Sequence, residues 1–198
     1  MKFQANISPK SDDALVVVDV QRDFLPGGAL GIAGGDAVTD PLNQYMKVFH
    51  DNGLPIYASR DWHPPDHCSF EAQGGPWPVH CVAETPGAKF DPRLKLPDGA
   101  EIVSKATHRD REAYSALDGT GLRQRLREQG VRRIFIGGLA TDYCVLNTVR
   151  DAVVAGFQVY LLEDAICAVN LNAGDATKAL DEMHRLGARP LHVQELAA

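Results

Sequence analysis

Ala14-Leu15-Val16-Val17-Val18 is an unbroken apolar, mostly β-branched run that leads into Asp19. A strand that is apolar at every residue, not every second one, has to be buried on both faces. That is expected of a central strand in a parallel sheet covered by helices. The rest of the chain follows the same plan. Short apolar runs recur at 55–59, 101–104, 133–138, 157–162 and 191–193. Between them lie longer amphipathic or glycine-stopped segments: one ending at Asn52-Gly53, then 121–129, 142–155 and 173–186. This alternation predicts βαβ units, and so a three-layer α/β/α fold on a mainly parallel six-stranded sheet, Rossmann-like in plan. No repeat or linker is visible, and residues 1–198 read as a single domain.

One stretch breaks the rhythm. Residues 60–97 are rich in Pro, Gly, His and Trp and have no period. A long irregular segment inside a compact domain is functional or disordered. Its two tryptophans and paired histidines argue for an ordered, site-building loop.

Composition narrows the function classes. With 44% hydrophobic and 23% charged residues the chain resembles an ordinary globular domain. The formal charge of −6 and the absence of a basic cluster argue against a nucleic-acid partner. No apolar run approaches the roughly 20 residues that span a bilayer, which argues against a membrane partner. The first residues, MKFQANISPKSDD, lack a signal-peptide core. Four cysteines without CxxC spacing fit a reducing, cytoplasmic setting, where each thiol is either filler or reactive.

In such sheets ligands bind beyond the carboxyl ends of the strands. The chemically useful residues should therefore follow strands. Asp19 ends the first, Asp61 and His63 follow the second, Lys105 follows the third, and Cys144 opens the helix after the fourth. Each has a plain alternative when taken singly: Cys144 as core filler, Asp19 as a loop cap, Lys105 as a snorkelling cation. As a set they would bring an acid, a cation and a thiol to one crevice, the constellation a thiol amidase requires. A thiol at a helix N-terminus is also expected to shift toward thiolate, beside N–H groups able to hold an oxyanion.

Asp61-Trp62-His63 and His80 suggest a metal ion. Asp and His two apart on an extended chain point the same way, and His80 could add a third ligand. Two His and a carboxylate with open positions suit a catalytic zinc, with manganese or iron also compatible. His67 is either a fourth ligand or an orienting group. Cys68 and Cys81 adjoin these candidates but would face away from them. Phe24 and Trp77 could stack on a flat ring or simply pack in the core.

Taken together, VVVDVQRDF (16–24), RDWHP (60–64), WPVHC (77–81), Ser104-Lys105 and GLATDYCV (138–145) resemble the nicotinamidase branch of the isochorismatase-like hydrolases over nearly the whole chain. The resemblance implies the isochorismatase-like fold and a triad of Asp19, Lys105 and Cys144. It also implies an oxyanion hole from the N–H groups of Ala140 and Cys144, reached through a cis peptide before Ala140. Asp61, His63 and His80 would bind the ion, and Phe24 and Trp77 would sandwich the ring of nicotinamide, with pyrazinamide also accepted. Family members commonly self-associate, so the resemblance is compatible with a homo-oligomer, while the sequence itself does not set the oligomeric state. Leu139 stands where Val or Ile is frequent, and Ala106 where Gly often follows the lysine. Other branches keep the acid, lysine and thiol without the metal candidates, which leaves a ureido or carbamoyl amidase as the neighbouring reading. A non-catalytic binding module and a redox-sensing Cys144 belong to other classes.

Overall fold

The computed structural model describes residues 7–197. Six strands, β1 (Asp13–Val18), β2 (Ile56–Asp61), β3 (Glu101–Lys105), β4 (Arg133–Leu139), β5 (Gln158–Cys167) and β6 (Arg189–Leu191), form one sheet in the order β3-β2-β1-β4-β5-β6. Every pairing is parallel. The expected six-stranded α/β fold is therefore present, with no antiparallel strand in that sheet.

β1 is central and every residue of it is buried. Successive side chains point to opposite faces, so the run serves two cores. Leu15 and Val17 pack with Leu42, Tyr45, Met46 and Phe49 of α1 (Thr39–Asp51). Ala14, Val16 and Val18 pack with α2 (Leu122–Glu128), α3 (Leu146–Val154) and α4 (Asp175–Arg185) through Leu126, Val149 and Met183. Each Val or Leu buried so fully contributes about 1.5–3 kcal/mol. An edge position would forfeit half of that, which is why this run lies in the middle.

The connections reverse direction between β1 and β4. That topological switch point opens a crevice at the strands' carboxyl ends. Gly138 sits beside it with φ +124°, and a Cβ there would lie 2.0 Å from the Val18 carbonyl oxygen. Only glycine lets β4 approach β1 so closely.

Several boundaries differ from the sequence expectation. β2 and β3 extend far enough to contain Asp61 and Lys105 as their last residues, and the two are paired across the ladder. β5 continues through Glu163-Asp164, an acidic pair that reads as a strand end. It can do so because the Asp164 carboxylate accepts the Tyr45 hydroxyl and the Val193 N–H. Its register against β4 jumps from Ile136↔Leu161 to Gly138↔Ile166. The last strand is Arg189–Leu191, not 191–193; Val193–Glu195 is a 3-10 turn. Pro190 is tolerated because β6 is an edge strand. The helix expected over 142–155 starts as a π-helical turn, Thr141–Val145, before α3.

The irregular stretch is ordered by cross-links, not by regular structure. His63 pairs with Val82 and Phe70 with Trp77, while Cys68 N–H donates to the Arg109 carbonyl. Among the described residues no helix is long and apolar enough to cross a membrane.

Candidate active site

Asp19, Lys105 and Cys144 converge where the sequence places them, at the switch point. Asp19 is fully buried just past β1, with φ +49°. Its Oδ1 accepts the Ser59 hydroxyl at 2.7 Å. Its Oδ2 forms an ion pair with Lys105 Nζ at 2.9 Å. The Lys105 ammonium, also buried, donates to Asp61 Oδ1 at 2.5 Å and to the Ala113 carbonyl at 3.1 Å. It stands 3.5 Å from Cys144 Sγ. One oxygen from each of Asp19 and Asp61 and the Cys144 sulfur lie within 4.8 Å of one another. Ala106 adopts φ +50°, a conformation glycine reaches more easily. The Leu139–Ala140 peptide is cis.

The electrostatics separate the two carboxylates. Burial raises the pKa of Asp19, and Lys105 only partly offsets this. Burial also works against ionised Asp61, but Lys105 and His63 overcome it and hold Asp61 below the usual carboxylate range. Lys105 loses solvation too, yet the two carboxylates keep its pKa well above the ordinary lysine value. The resting cluster is therefore a Lys105–Asp61 ion pair beside Asp19, a carboxylate with enhanced proton affinity.

The thiol differs from expectation. Burial pushes the Cys144 pKa well up, against the opposing effect of Lys105. That direction favours the thiol form, which a neighbouring base would activate. Desolvation in the packed crevice outweighs the lysine and helix-terminus effects that favour thiolate.

A second cluster adjoins the first through Asp61. Ligand atoms of Asp61, His63 and His80 lie within 4.8 Å of one another, all buried. His63 donates from Nδ1 to the Ala106 carbonyl at 3.2 Å, and His80 from Nδ1 to the Pro78 carbonyl at 2.7 Å. Metal-binding histidines commonly donate their second nitrogen in this way, which leaves Nε2 for the ion. Among the described residues His63 Nε2 is buried without a hydrogen-bond partner, 3.6 Å from Asp61 Oδ2, and a cation would satisfy it. The donor set and this nitrogen fit a divalent ion. The overlapping set Asp19, Asp61 and Cys144 does not, since the Lys105 ammonium already stands among those atoms.

His67 has neither ring nitrogen to spare. Nε2 donates to the Arg111 carbonyl at 3.1 Å and Nδ1 accepts from Ser69 Oγ at 2.7 Å. Its ring stacks on His63 at 4.2 Å, so of the two sequence readings the structure supports the orienting one.

Both clusters border one cavity, the first through Cys144 and the second through Asp61, His63 and His80. Phe24, Trp77, Ala140 and Cys144 line it, as expected. Glu112, Tyr114, Tyr143, Leu30 and Val169 line it as well and were missed. Tyr143, next to Cys144, meets Trp77 edge-on at 5.0 Å, and adjacency to the nucleophile could have flagged it. Tyr114 accepts the Trp77 indole N–H at 3.0 Å from a stretch with no sequence signal. Ser59 could have been found from the β1–β2 register.

Comparison with known proteins gives a consistent result. The family model described as the isochorismatase domain matches residues 13–195. A nicotinamidase of Acinetobacter baylyi is 37% identical, the match covering 89% of this chain and 90% of that one. The solved pyrazinamidase of Pyrococcus horikoshii in complex with zinc is 49% identical, with TM-score 0.88, covering 91% of this chain and 99% of its own. L. infantum PnC1 in complex with nicotinate is 36% identical, with TM-score 0.90, covering 98% of this chain and 99% of its own. With the fold, the crevice and nearly the full length in agreement, this chain belongs to the isochorismatase family of hydrolases.

Proposed function

We propose that this chain is a nicotinamidase, hydrolysing nicotinamide to nicotinate and ammonia and accepting pyrazinamide as a near-isostere. The observation that carries the reading is the junction of the two clusters at Asp61. A thiol–acid–lysine set and a histidine–carboxylate set share one cavity beside two aromatic walls. Relatives named for this activity, 37% and 35% identical over most of the chain, support it.

Cys144 Sγ attacks the carboxamide carbon while Asp19 takes the thiol proton. The raised proton affinity of Asp19 suits it to that role, since a base works best when its pKa approaches the working pH. The backbone N–H groups of Ala140 and Cys144 receive the developing oxyanion. As the C–N bond breaks, Asp19 passes its proton to the departing ammonia and a thioester remains. A water then attacks the thioester, giving one proton to Asp19; as the C–S bond breaks, Asp19 returns that proton to the sulfur, and the acid released ionises to nicotinate. Lys105 stays charged throughout and holds Asp19 and Asp61 in place. Asp61, His63 and His80 would hold the divalent ion, zinc on the chemistry of its ligands, though manganese and iron share that preference. When bound, the ion supplies a Lewis-acid seat for the pyridine nitrogen. Phe24 and Trp77 hold the ring between them.

The reaction would serve recycling of nicotinamide, and the cysteine usage suits a reducing, cytoplasmic setting for it. Purified zinc-loaded protein should release ammonia from nicotinamide. Turnover of carbamoyl or ureido compounds with none on nicotinamide would move it to the neighbouring branch of the family.

A further inference from the structure

Two of the three proposed metal ligands, Asp61 and His80, stand far apart in sequence, and both are tied to the turn that follows β1. Gln21 is fully buried. Its Nε2 donates to the Asp61 carbonyl at 2.8 Å and to the Ala88 carbonyl at 2.9 Å, while its Oε1 accepts the Asp61 N–H at 2.7 Å. One side-chain amide thus reproduces a rung of sheet pairing on the ligand's own backbone. Two residues on, Asp23 Oδ2 accepts the Cys81 N–H at 2.7 Å. Cys81 follows His80 directly and holds φ +46°, an unfavourable conformation for a residue with a side chain. Asp23 Oδ1 also takes the Ala29 N–H, at 3.4 Å. Phe24 then packs its ring against His80, with centroids 5.6 Å apart.

We infer that this turn is a clamp for the metal site, with Gln21 a positioning residue for Asp61 and Asp23 a positioning residue for His80. The inference rests on the metal-site reading above. The clamp also explains Gly87. A Cβ at that position would lie 2.2 Å from both Asp23 carboxylate oxygens, yet its φ is not one reserved for glycine. The absent side chain makes room for the carboxylate, and the Asp23 N–H donates to the Gly87 carbonyl at 3.0 Å. Outer partners of this kind fix ligand orientation, and their loss typically weakens metal binding by about 10–100-fold.

Zinc affinity of the metal-stripped full chain, measured by competition with a chromophoric chelator, tests the clamp. Asp23→Ala and Gln21→Met should each weaken zinc by about 10–100-fold. Asp23→Asn should restore most of the Asp23 loss, because an amide oxygen can still accept the Cys81 N–H. Gly87→Ala, a half-buried loop substitution, should reproduce the Asp23→Ala loss by displacing the carboxylate, and it reports on the clamp even where Asp23→Ala or Gln21→Met does not fold. His80→Ala serves as the reference for the site itself. Wild-type zinc affinity in Gly87→Ala and Asp23→Ala alongside loss in His80→Ala overturns the clamp and leaves the metal site standing. Equal losses in Asp23→Ala and Asp23→Asn overturn it too, since general loosening gains nothing from the isostere. Unchanged affinity in His80→Ala overturns the metal-site reading instead.

Discussion

Buried ionic clusters occupy opposite ends of the same sheet, and they are built differently. At the amino ends of β1 and β4, Arg133 grips Asp13 with two bonds, Nε to Oδ1 at 2.5 Å and a terminal nitrogen to Oδ2 at 2.6 Å. The Lys10 N–H adds a bond to Asp13, and the Ser8 carbonyl accepts another from Arg133. At the carboxyl ends, one ammonium serves two carboxylates, and among the described residues His63 Nε2 has no hydrogen-bond partner, only the Asp61 carboxylate at 3.6 Å. The first cluster is charge-balanced and closed. The second carries an excess carboxylate and opens on a cavity. Burial of charge is common to both, so burial alone does not mark chemistry. An unfilled valence facing a cavity does, because it is retained only where something else completes it.

Substitutions at each end should separate the two roles. The largest effect is expected from Cys144→Ala, which removes the nucleophile. Ammonia release from nicotinamide should fall by at least about 10⁴-fold, with the near-ultraviolet circular dichroism unchanged. Retained turnover in that variant rules out the thioester route. Asp19→Asn should come next, with kcat reduced about 10²–10⁴-fold as general-base assistance is lost. A loss confined to KM would instead make Asp19 a binding group.

His80→Ala should lower the zinc content measured by mass spectrometry and raise KM by about 10-fold or more, with the smaller change in kcat. Unaltered KM would remove the ring-anchoring role. The pH profile gives a gentler test. Asp19 acts only when ionised, and burial raises its pKa, so turnover should decline on acidification above the range where exposed carboxylates titrate. A profile flat down to that range would show that another base does the work. The smallest effect on turnover should come from the closed cluster. Arg133→Met leaves Asp13 buried without its partner, so chemical denaturation should show about 3–5 kcal/mol of lost stability. The kcat of the folded fraction should stay unchanged. A kcat loss there would erase the distinction between the two ends.

The residues of the open cluster were legible in the sequence because a strand's carboxyl end is a local property. Asp19, Asp61, Lys105 and Cys144 each stand at the end of an apolar run or at the start of the next helix. His67 was only half legible. Its position suggested a ligand or an orienting group, and the choice depended on Ser69 and the Arg111 carbonyl, the second of which is remote in sequence. Tyr114 and Gln21 gave no sign of their contacts, since neither spacing nor period points from them to Trp77 or to Asp61.

The sequence by itself determined the class of fold, the sheet's central strand and the strand-end positions of Asp19, Lys105 and Cys144. Apolar periodicity and strand-end placement depend on neighbours along the chain. Only the tertiary structure decided that Asp61 serves both clusters, because that follows from its register opposite Lys105. It also decided that burial raises the proton affinity of Cys144 and of Asp19 while Asp61 is held low. Those are consequences of desolvation and ion pairing, and water is excluded only once helices, loop and sheet have closed around the crevice.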